Sequence, residues 1–411
     1  MADNLYFSRD TRVFIKLTNQ DFIWEVPVLD GYSFSQATNT TEVTLSEMES
    51  TAGVSNRGRQ MFTDSYAPAE WSFSTYARPY FASSKDRSVE EVLWGLIAGK
   101  AYWDDSAKTF KTASGGTAYQ SQVGNLQQTN FATSNTSTLG TADIYFVMGA
   151  NRRTVSTDVI TAYKIEKCVV NEVNMDFDIE GIATLSWSGF GSIISEVAAY
   201  SQDASPGATN AIGSVWLDTN HGTPGQIFFA QTANFAAVTT PFVTGISLTD
   251  NYIKNKLSNL VVNSANPELN STYNLTLTGG SVSLSNNITY ITPETLGVVN
   301  QPIGHVTGTR TVSGSFTCYL DSDGSNSSAD LFEDSIEGTT NVTTDANLEF
   351  NIGGGLGTTA SPVIQFKMAH CHIELPQHSM EDVISLETNF HALPATFDGT
   401  DELVVSYVGK G

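Results

Sequence analysis

The sequence predicts an all-β protein built from two tandem β-sandwich domains, each with one short helix. Short runs such as residues 13–17 and 22–28 are rich in β-branched and aromatic residues and are bounded by turn residues. Few segments have helical periodicity, and the order of strands, long loop and helix in the first half recurs in the second. Sheets with one apolar face pair into sandwiches, and a single helix can cover an open end.

The composition is that of an acidic globular protein. Of the 411 residues, 40% are hydrophobic but only 15% are charged, and 43 acids against 20 bases give a net charge of -23. This balance argues against tight binding of nucleic acid, because phosphate contacts require Lys and Arg. The three cysteines are widely spaced, which favours buried free thiols over a disulfide framework. Without a signal peptide or an apolar run of about 18 residues, we expect cytoplasmic folding and no membrane partner.

Several segments of the first half have clear signals. Residues 32–45 predict a long strand, and residues 46–68 predict a long loop. The loop contains Arg57 and Arg59, two bases close together in an acid-rich chain. Residues 104–142, which are rich in Ser, Thr, Gly, Gln and Asn, give no pattern that we can resolve.

One helix is predicted in each half. Ser88 and Glu91 have the spacing of a capping box, and the apolar stripe that follows ends at Gly99. A similar but shorter stripe in the second half begins at Leu331 and ends before Gly338. The two helices therefore occupy corresponding places in the two halves.

Short echoes in the sequence indicate an internal duplication. Residues 282–286 are similar to residues 32–36, and residues 315–319 are similar to residues 72–76, in the same order. Each half then ends in a predicted strand pair, and the period is too long for a solenoid. The predicted organisation is a first domain at 1–200, a linker or insertion at 201–245 and a second domain at 246–411.

Residues 172–180 form the most unusual predicted strand. Its odd positions are apolar, whereas its even positions form an acidic row, namely Glu172, Asn174, Asp176, Asp178 and Glu180. Carboxylates on one face repel one another, so the isolated fold gains nothing from them. A solvated outer face is the simplest interpretation, and a calcium site fits poorly because a flat strand does not wrap around an ion. We favour the wall of a negatively charged conduit.

The counterpart of this strand in the second half carries His370, His372 and Glu374 on one face, with His378 nearby. Alternating histidines on a strand occur in metal sites. No further ligand is obvious, so an ordinary polar face is the better interpretation. The sequence also lacks a nucleophile elbow and a His-Glu-x-x-His motif, which leaves no catalytic constellation and implies no cofactor.

Residues 24–47, WEVPVLDGYSFSQATNTTEVTLSE, resemble the beginning of tail tube proteins of long-tailed bacteriophages. Residues 252–258, YIKNKLS, are also similar to that family. The resemblance implies a β-sandwich subunit whose strands join those of neighbours into an inner β-barrel. Rings then stack into a tube through which DNA passes. The duplication resembles the variant of phages with non-contractile tails, in which three chains form a pseudo-sixfold ring.

The resemblance also implies partners and residue roles. The partners would be copies of the chain itself, the tape measure protein inside the tube, tail terminator and distal tail or baseplate proteins, and double-stranded DNA in transit without tight binding. The protein would be assembled in the host cytoplasm and would reside in the virion tail. The acidic row together with His372 and Glu374 would face the channel, and Arg57 and Arg59 would contact the adjacent ring.

Two other functions fit the composition. A β-rich surface, adhesion or capsid decoration module would show exposed aromatic residues clustered in a groove. The sequence instead places Trp24, Trp71, Trp94 and Trp187 in strands or the helix, where a core position is usual. A glycosidase with paired carboxylates has no support beyond the presence of acidic residues.

Overall fold

The computed structural model describes residues 6–8, 11–20, 22–43, 60–82, 85–123, 126–131, 137–148, 161–197, 199–200, 215–218, 226–229, 252–264, 272–296, 298–322, 326–337, 346–354, 362–380, 383–397 and 399–409. Most of these residues are in β-strands, and the two α-helices among them are α1 (Glu91–Ala98) and α2 (Ser328–Glu337). The predicted all-β class is therefore confirmed.

The strands of the first part of the chain are β1 (Arg12–Leu17), β2 (Ile23–Val26), β3 (Ser33–Ser35), β4 (Thr38–Val43), β5 (Gln60–Tyr66), β6 (Ala69–Tyr76), β7 (Pro79–Ala82), β8 (Lys85–Ser88), β9 (Tyr102–Asp104), β10 (Thr109–Lys111), β11 (Gln120–Val123), β12 (Leu126–Asn130), β13 (Ala142–Met148), β14 (Thr161–Asp178), β15 (Thr184–Gly191), β16 (Ile194–Val197), β17 (Ala199–Tyr200), β18 (Val215–Asp218) and β19 (Gln226–Phe229).

The strands of the second part are β20 (Asn259–Ser264), β21 (Tyr273–Leu275), β22 (Leu277–Ser285), β23 (Thr289–Ile291), β24 (Gly304–Val306), β25 (Thr311–Tyr319), β26 (Ala346–Ile352), β27 (Val363–Ile373), β28 (Gln377–Met380), β29 (Ile384–Ala392) and β30 (Val404–Val408).

The long strand β14 organises the first half because it belongs to two sheets. Its N-terminal part pairs with β13 and β16 in a sheet of order β2-β1-β13-β14-β16, which we call the first cover sheet. Its C-terminal part pairs with β15, which continues through β6 to β3. The pairing of β14 with β15 shifts by one residue between Val170 and Glu172, which is a β-bulge of the kind that bends a strand.

The second half has the same order of pairing. The second cover sheet has the order β21-β20-β26-β27-β30, and β27 also pairs with β29, which continues through β25 to β22. A matching irregularity occurs in both cover sheets: Cys168 lies opposite Ala142, Cys371 lies opposite Ala346, and the register shifts next to each pair. β14 and β27 therefore take the same place in the two halves.

One sheet runs through both halves of the chain. β14 pairs antiparallel with β22, from Glu172 opposite Ser285 to Asp178 opposite Gly279. This pairing joins the strands into a single sheet of order β3-β6-β15-β14-β22-β25-β29, followed by the end of β27 and by β28, which we call the central sheet.

The central sheet packs on the cover sheets through aromatic side chains. The ring centroids of Phe34 and Phe146 lie 4.6 Å apart in the first half, and those of Phe350 and Phe390 lie 5.3 Å apart in the second. A single hydrophobic cluster extends through both halves. The four tryptophans expected in the core are buried, and the three cysteines are free and buried, so both predictions are confirmed.

Residues 104–142, which gave no pattern in the sequence, connect the two halves. β11 and β12 form a hairpin, and β12 pairs with the C-terminal strand β30, from Gln127 opposite Tyr407 to Asn130 opposite Val404. This hairpin extends the second cover sheet beyond β30. Among the described residues, no strand extends the first cover sheet beyond the corresponding strand β16. No local pattern could have shown this, because the paired residues lie 274 to 280 positions apart in the sequence.

α1 is buried on all sides beneath this hairpin. All eight of its residues are buried, and the indole of Trp94 contacts Trp187 of β15 and Phe366 of β27. The expected capping box is wrong: the helix begins after Glu90 without a side-chain cap, and Ser88 belongs to β8. The prediction that Gly99 ends the helix is confirmed.

Glu91 is held inside the protein by several donors. The guanidinium of Arg87 forms a buried salt bridge with it, and the side chains of Trp24 and Gln127 donate hydrogen bonds to its carboxylate at 3.1 Å each. The carboxylate therefore serves the fold as a buried acceptor, whereas a capping box would have used it on the helix surface.

The predicted strand at 32–45 is interrupted. β3 ends at Ser35 and β4 begins at Thr38, because the side chain of Gln36 bonds to the carbonyl oxygens of Ala67 and Ser192 and to the backbone N–H of Ile194. The predicted loop is also partly a strand, since β5 pairs with β4 in a hairpin. Arg57 and Arg59 lie outside the described residues.

The linker at 201–245 is described only at β18 and β19, which form a small sheet with β17. Among the described residues, no helix has the length and apolarity that crossing a membrane requires.

Candidate functional site

One face of the central sheet is polar from edge to edge. Residues directly opposite one another in neighbouring strands point to the same face, so the pairing defines rows that cross the sheet. One row consists of Ser74, Ser186, Asn174, Ser283, Ser313, His391 and His372. Another consists of Tyr76, Thr184, Asp176, Ser281, Ser315 and Asn389. A third consists of Ser33, Ser72, Ser188, Glu172, Ser285 and Thr311.

The neighbouring row, one residue along each strand, is entirely buried. It consists of Phe73, Trp187, Val173, Leu284, Val312, Ala392 and Cys371. The alternation of strand side chains thus separates a continuous apolar face, which packs on the cover sheets, from a face that is polar except for Phe190 and Val169, which pack in a small apolar cluster with Leu139 and Ile288. We call the latter the polar face.

Hydrogen bonds between neighbouring strands support this assignment. The hydroxyl oxygens of Ser33 and Ser72 lie 2.8 Å apart, and those of Ser281 and Ser315 lie 3.3 Å apart. Within β14, the side-chain amide of Asn174 donates to Oδ2 of Asp176 at 2.9 Å. Short polar side chains on the polar face therefore bond mainly to one another along the sheet.

The structure brings most of the predicted channel residues to this face. Glu172, Asn174, Asp176 and Asp178 lie in the C-terminal part of β14, near the middle of the sheet. His372 and Glu374 lie on the same face near its far edge, where Asn389 donates to Oε2 of Glu374 at 2.9 Å.

That hydrogen bond, with a smaller contribution from His391, lowers the pKa of the Glu374 carboxyl below its ordinary value. Glu374 therefore stays ionised to a lower pH than an isolated carboxyl, which adds a fixed negative charge near the edge of the sheet.

Glu180 is an exception to the predicted row. β14 ends at Asp178, and the backbone N–H of Glu180 donates to Oδ1 of Asp178 at 3.1 Å in the turn that follows. Ile179, expected on the apolar face, is 48% exposed for the same reason. The alternation continues in the sequence for two residues beyond the point where the strand stops.

Lys and Arg are absent from the strand segments that form the central sheet. Strands β3, β6, β15, β22, β25, β28 and β29, residues 169–178 of β14 and residues 371–373 of β27 contain no Lys or Arg. Bases occur instead on the cover sheets, where Arg12 pairs with Glu25 and Lys367 pairs with Glu349. The acidic residues of the polar face are Glu70, Glu172, Asp176, Asp178, Glu374 and Glu387. The potential over this face is therefore negative.

The sequence contains a second signal for this face, besides the acidic strand. Serine alternates with apolar residues in β3, β6, β15, β22 and β25, whereas the channel prediction rests on the acidic strand and its counterpart alone. Alternating Ser in a strand without a base would have indicated the whole polar face.

The described residues contain no cluster of three or more His, Cys, Asp or Glu side chains placed to hold a metal ion. His372 lies opposite His391 and Glu374 bonds to Asn389, so these two residues belong to the polar face.

These features are those of a subunit that builds a polar surface by joining sheets. A sequence model of the family described as phage tail tube protein matches residues 34–400, and the chain belongs to that family. It is a structural component of the virion tail. The chain is similar to tail tube protein pb6 of Escherichia phage T5, with 28% identity over 99% of this chain and 76% of that protein.

Proposed function

We propose that the polar face lines the lumen of the tail tube and lets DNA pass without binding it. The observation that carries the proposal is a sheet face that spans both halves, displays hydroxyls and six carboxylates and has no Lys or Arg in its strands. DNA is densely negative, so acids repel it, and the lack of Lys and Arg removes the groups that would hold its phosphates. The polar face needs no enzymatic group for this role.

We further propose that three chains close into a ring with pseudo-sixfold symmetry. The same order of pairing in the two halves supports a duplicated tube domain, so that each chain supplies two units. Within one chain, the central sheet ends in open edges at β3 and β28 among the described residues. Closure into a barrel removes such edges, which otherwise promote aggregation.

Rings would stack head to tail through apolar residues at the two ends of the central strands. At one end, the β4–β5 hairpin exposes 60% of Met61 and 53% of Phe62, and the neighbouring loop of the second half fully exposes Leu296. At the opposite end, Ile182 after β14 and Leu257 before β20 are also exposed. Two different apolar surfaces at opposite ends suit a contact that repeats without closing, as a tube requires.

The β4–β5 hairpin and the loop that contains Leu296 are joined by backbone hydrogen bonds. The backbone N–H of Tyr66 in β5 donates to the carbonyl oxygen of Asn300 at 2.9 Å, and the N–H of Asn300 donates to that of Asp64 at 3.2 Å. A two-stranded hairpin is marginal alone, so this brace would hold it in position for the next ring. The contacts of Arg57 and Arg59 with that ring stay a prediction. The same holds for the tape measure, terminator and distal tail or baseplate partners.

Electron microscopy of the purified protein tests the proposal. We expect stacked rings with a central channel and threefold symmetry that approximates sixfold. A protein that stays monomeric at high concentration and low salt would contradict it.

A further inference from the structure

β14 and β22 provide, within one chain, an example of how two four-stranded units join. They pair antiparallel over seven positions, with Asp176 opposite Ser281 and Asn174 opposite Ser283. The first unit has the strand order β3-β6-β15-β14, and the second has the order β22-β25-β29 followed by β27 and β28. The contact therefore joins the edge strand β14 of the first unit to the edge strand β22 of the second. The ring closure proposed above requires the same kind of contact between chains, so the register can be transferred.

The strand equivalent to the C-terminal part of β14 is β28. Between Ile373, opposite Phe390, and Gln377, opposite Glu387, the β27–β28 segment advances by four residues while β29 advances by three. β14 has one extra residue at the same place, where its pairing with β15 shifts after Val170. Counting from the matched pair Cys168 and Cys371, Asn174 corresponds to Gln377 and Asp176 corresponds to Ser379. The sequence-based match to residues 370–375 was therefore displaced.

The strand equivalent to β22 is β3. Ser33 lies opposite Ser72 of β6, and Ser281 lies opposite Ser315 of β25. The match of β6 with β25 follows from the strands on their other side, β15 and β29, in which Gly191 corresponds to Ala392. Ala69 of β6 lies opposite Gly191, and Val312 of β25 lies opposite Ala392. Ser33 thus corresponds to Ser281, so the sequence-based match of residues 32–36 to residues 282–286 is displaced by two residues.

Both strands have an unused edge. Among the described residues, β3 pairs only with β6, and β28 pairs only with β29. All four residues of β28 are exposed, and Met380 has 76% of its surface in contact with solvent. Open edges of this kind are templates for an added strand.

We propose that β28 of one chain pairs antiparallel with β3 of the next, with Gln377 opposite Ser35 and Ser379 opposite Ser33. The inference rests on the proposed function and assigns its register. Ser33, Ser35, Gln377 and Ser379 then extend the polar face across the junction without introducing a charge. On the other face, His378 lies beside Phe34, and Met380 lies beside Tyr32 and becomes buried.

Cysteine pairs test this register. Opposite residues have Cβ atoms about 4.5–5.5 Å apart, whereas diagonal neighbours are about 7–8 Å apart. Disulfides need Cβ atoms about 3.5–4.5 Å apart, so only directly opposite pairs form them readily. The native cysteines are buried, which keeps the background low.

Ser33→Cys with Ser379→Cys, and separately Ser35→Cys with Gln377→Cys, are oxidised in assembled tubes and run on non-reducing gels. We expect covalent dimers and closed trimers in both, formed at least about tenfold faster than in the diagonal control Ser33→Cys with Gln377→Cys. Mixing the single variants Ser33→Cys and Ser379→Cys should yield the mixed dimer alone, which shows that the bond joins two chains.

The outcomes separate the register from the function. Tubes that form normally but crosslink faster in the diagonal pair, or in none of the pairs, would overturn the register and leave the tube function standing. Failure of the unmodified protein to assemble would contradict the proposed function and the strand contact together.

Discussion

The hydroxyl of Tyr407, in β30 of the second half, donates a hydrogen bond to Oε1 of Glu90, at the start of α1 in the first half. The indole N–H of Trp94 donates to the same hydroxyl at 2.8 Å. Glu90 is 0% exposed, so this chain of bonds lies inside the junction between the halves. A buried network of this kind can fix the relative position of two packed units, because any displacement leaves polar atoms without partners.

The first prediction concerns the pH dependence of stability. Burial raises the pKa of Glu90 from 4.5 to about 8, although the hydrogen bond from Tyr407 opposes the shift. The folded protein therefore binds a proton that the unfolded chain releases above its ordinary pKa. The contribution of this bound proton to the free energy of unfolding is on the order of a few kcal/mol. It is complete below pH 4.5 and is lost as the pH rises through 8.

Glu90→Gln should flatten the fall of the melting temperature between pH 6 and pH 9. The range begins at pH 6 because burial also raises the pKa of Asp86, to about 6. Thermal unfolding followed by circular dichroism measures the effect, and the exposed Glu294→Gln variant is the control. A Glu90→Gln variant whose profile matches that of the unmodified protein would contradict the assignment.

The second prediction concerns the buried salt bridge of Arg87 and Glu91, whose side chains are 4% and 1% exposed. Arg87→Met leaves an uncompensated buried carboxylate and should lower the free energy of unfolding by about 3–5 kcal/mol. Lys108→Met, which breaks an exposed pair with Asp105, should cost less than about 1 kcal/mol. Equal effects in urea denaturation would show that the buried pair has no special role.

The third prediction uses a glycine in the central sheet. A Cβ at Gly314 would lie 2.0 Å from the carbonyl oxygen of Ser281 and 2.7 Å from Cζ of Phe390. Gly314→Ala must therefore displace β22 or the core, which should cost about 1–3 kcal/mol or more. Gly304→Ala, which meets nothing within 4 Å, is the matched control and should be nearly neutral. Similar melting temperatures for the two variants would refute the close approach.

The fourth prediction concerns the charge of the polar face. Tubes of a variant with Asp176→Lys and Asp178→Lys should assemble but retain DNA at low salt, since each new cation can contact a phosphate. Co-sedimentation with short duplexes measures retention, which should fall as salt is added. The same two positions changed to Asn separate loss of repulsion from gain of attraction. Phages that carry the Lys variant should eject DNA more slowly, and unchanged ejection together with no DNA retention would speak against a channel position.

The fifth prediction concerns stacking. Met61→Asp with Phe62→Asp should leave rings intact but shorten or abolish tubes, because the apolar hairpin tip loses its contact with the next ring. Thr40→Asp with Thr63→Asp adds the same charge to an opposite, exposed pair of the hairpin and should shorten tubes less. Tube lengths from negative-stain images provide the measurement. Long tubes from the first variant would show that stacking uses another surface.

The sequence predicted those features that depend on neighbouring residues. The alternation at Val173, Met175 and Phe177 placed Asp176 on the correct face, and the end of α1 at Gly99 followed from local chemistry. Glu180 was misplaced because a strand can stop before its pattern does.

Features that depend on distant partners could not be predicted. The break after Ser35 depends on hydrogen bonds between Gln36 and Ala67, Ser192 and Ile194. The position of the β11–β12 hairpin depends on its pairing with β30. The equivalence of β28 with β14 depends on a bulge that only the pairing with β29 reveals. Local propensity carries no information about these contacts, which is why the acidic strand was predicted and the continuous face around it was not.

A cryo-electron microscopy map of the assembled tube, at a resolution that traces strands, tests the central claim most directly through the position of Asp176. We predict that Asp176 and Ser283 point into the channel, with the cover sheets on the outside of the wall. A map that places these side chains on the outer surface of the tube, or in a contact between subunits away from the lumen, would contradict the account.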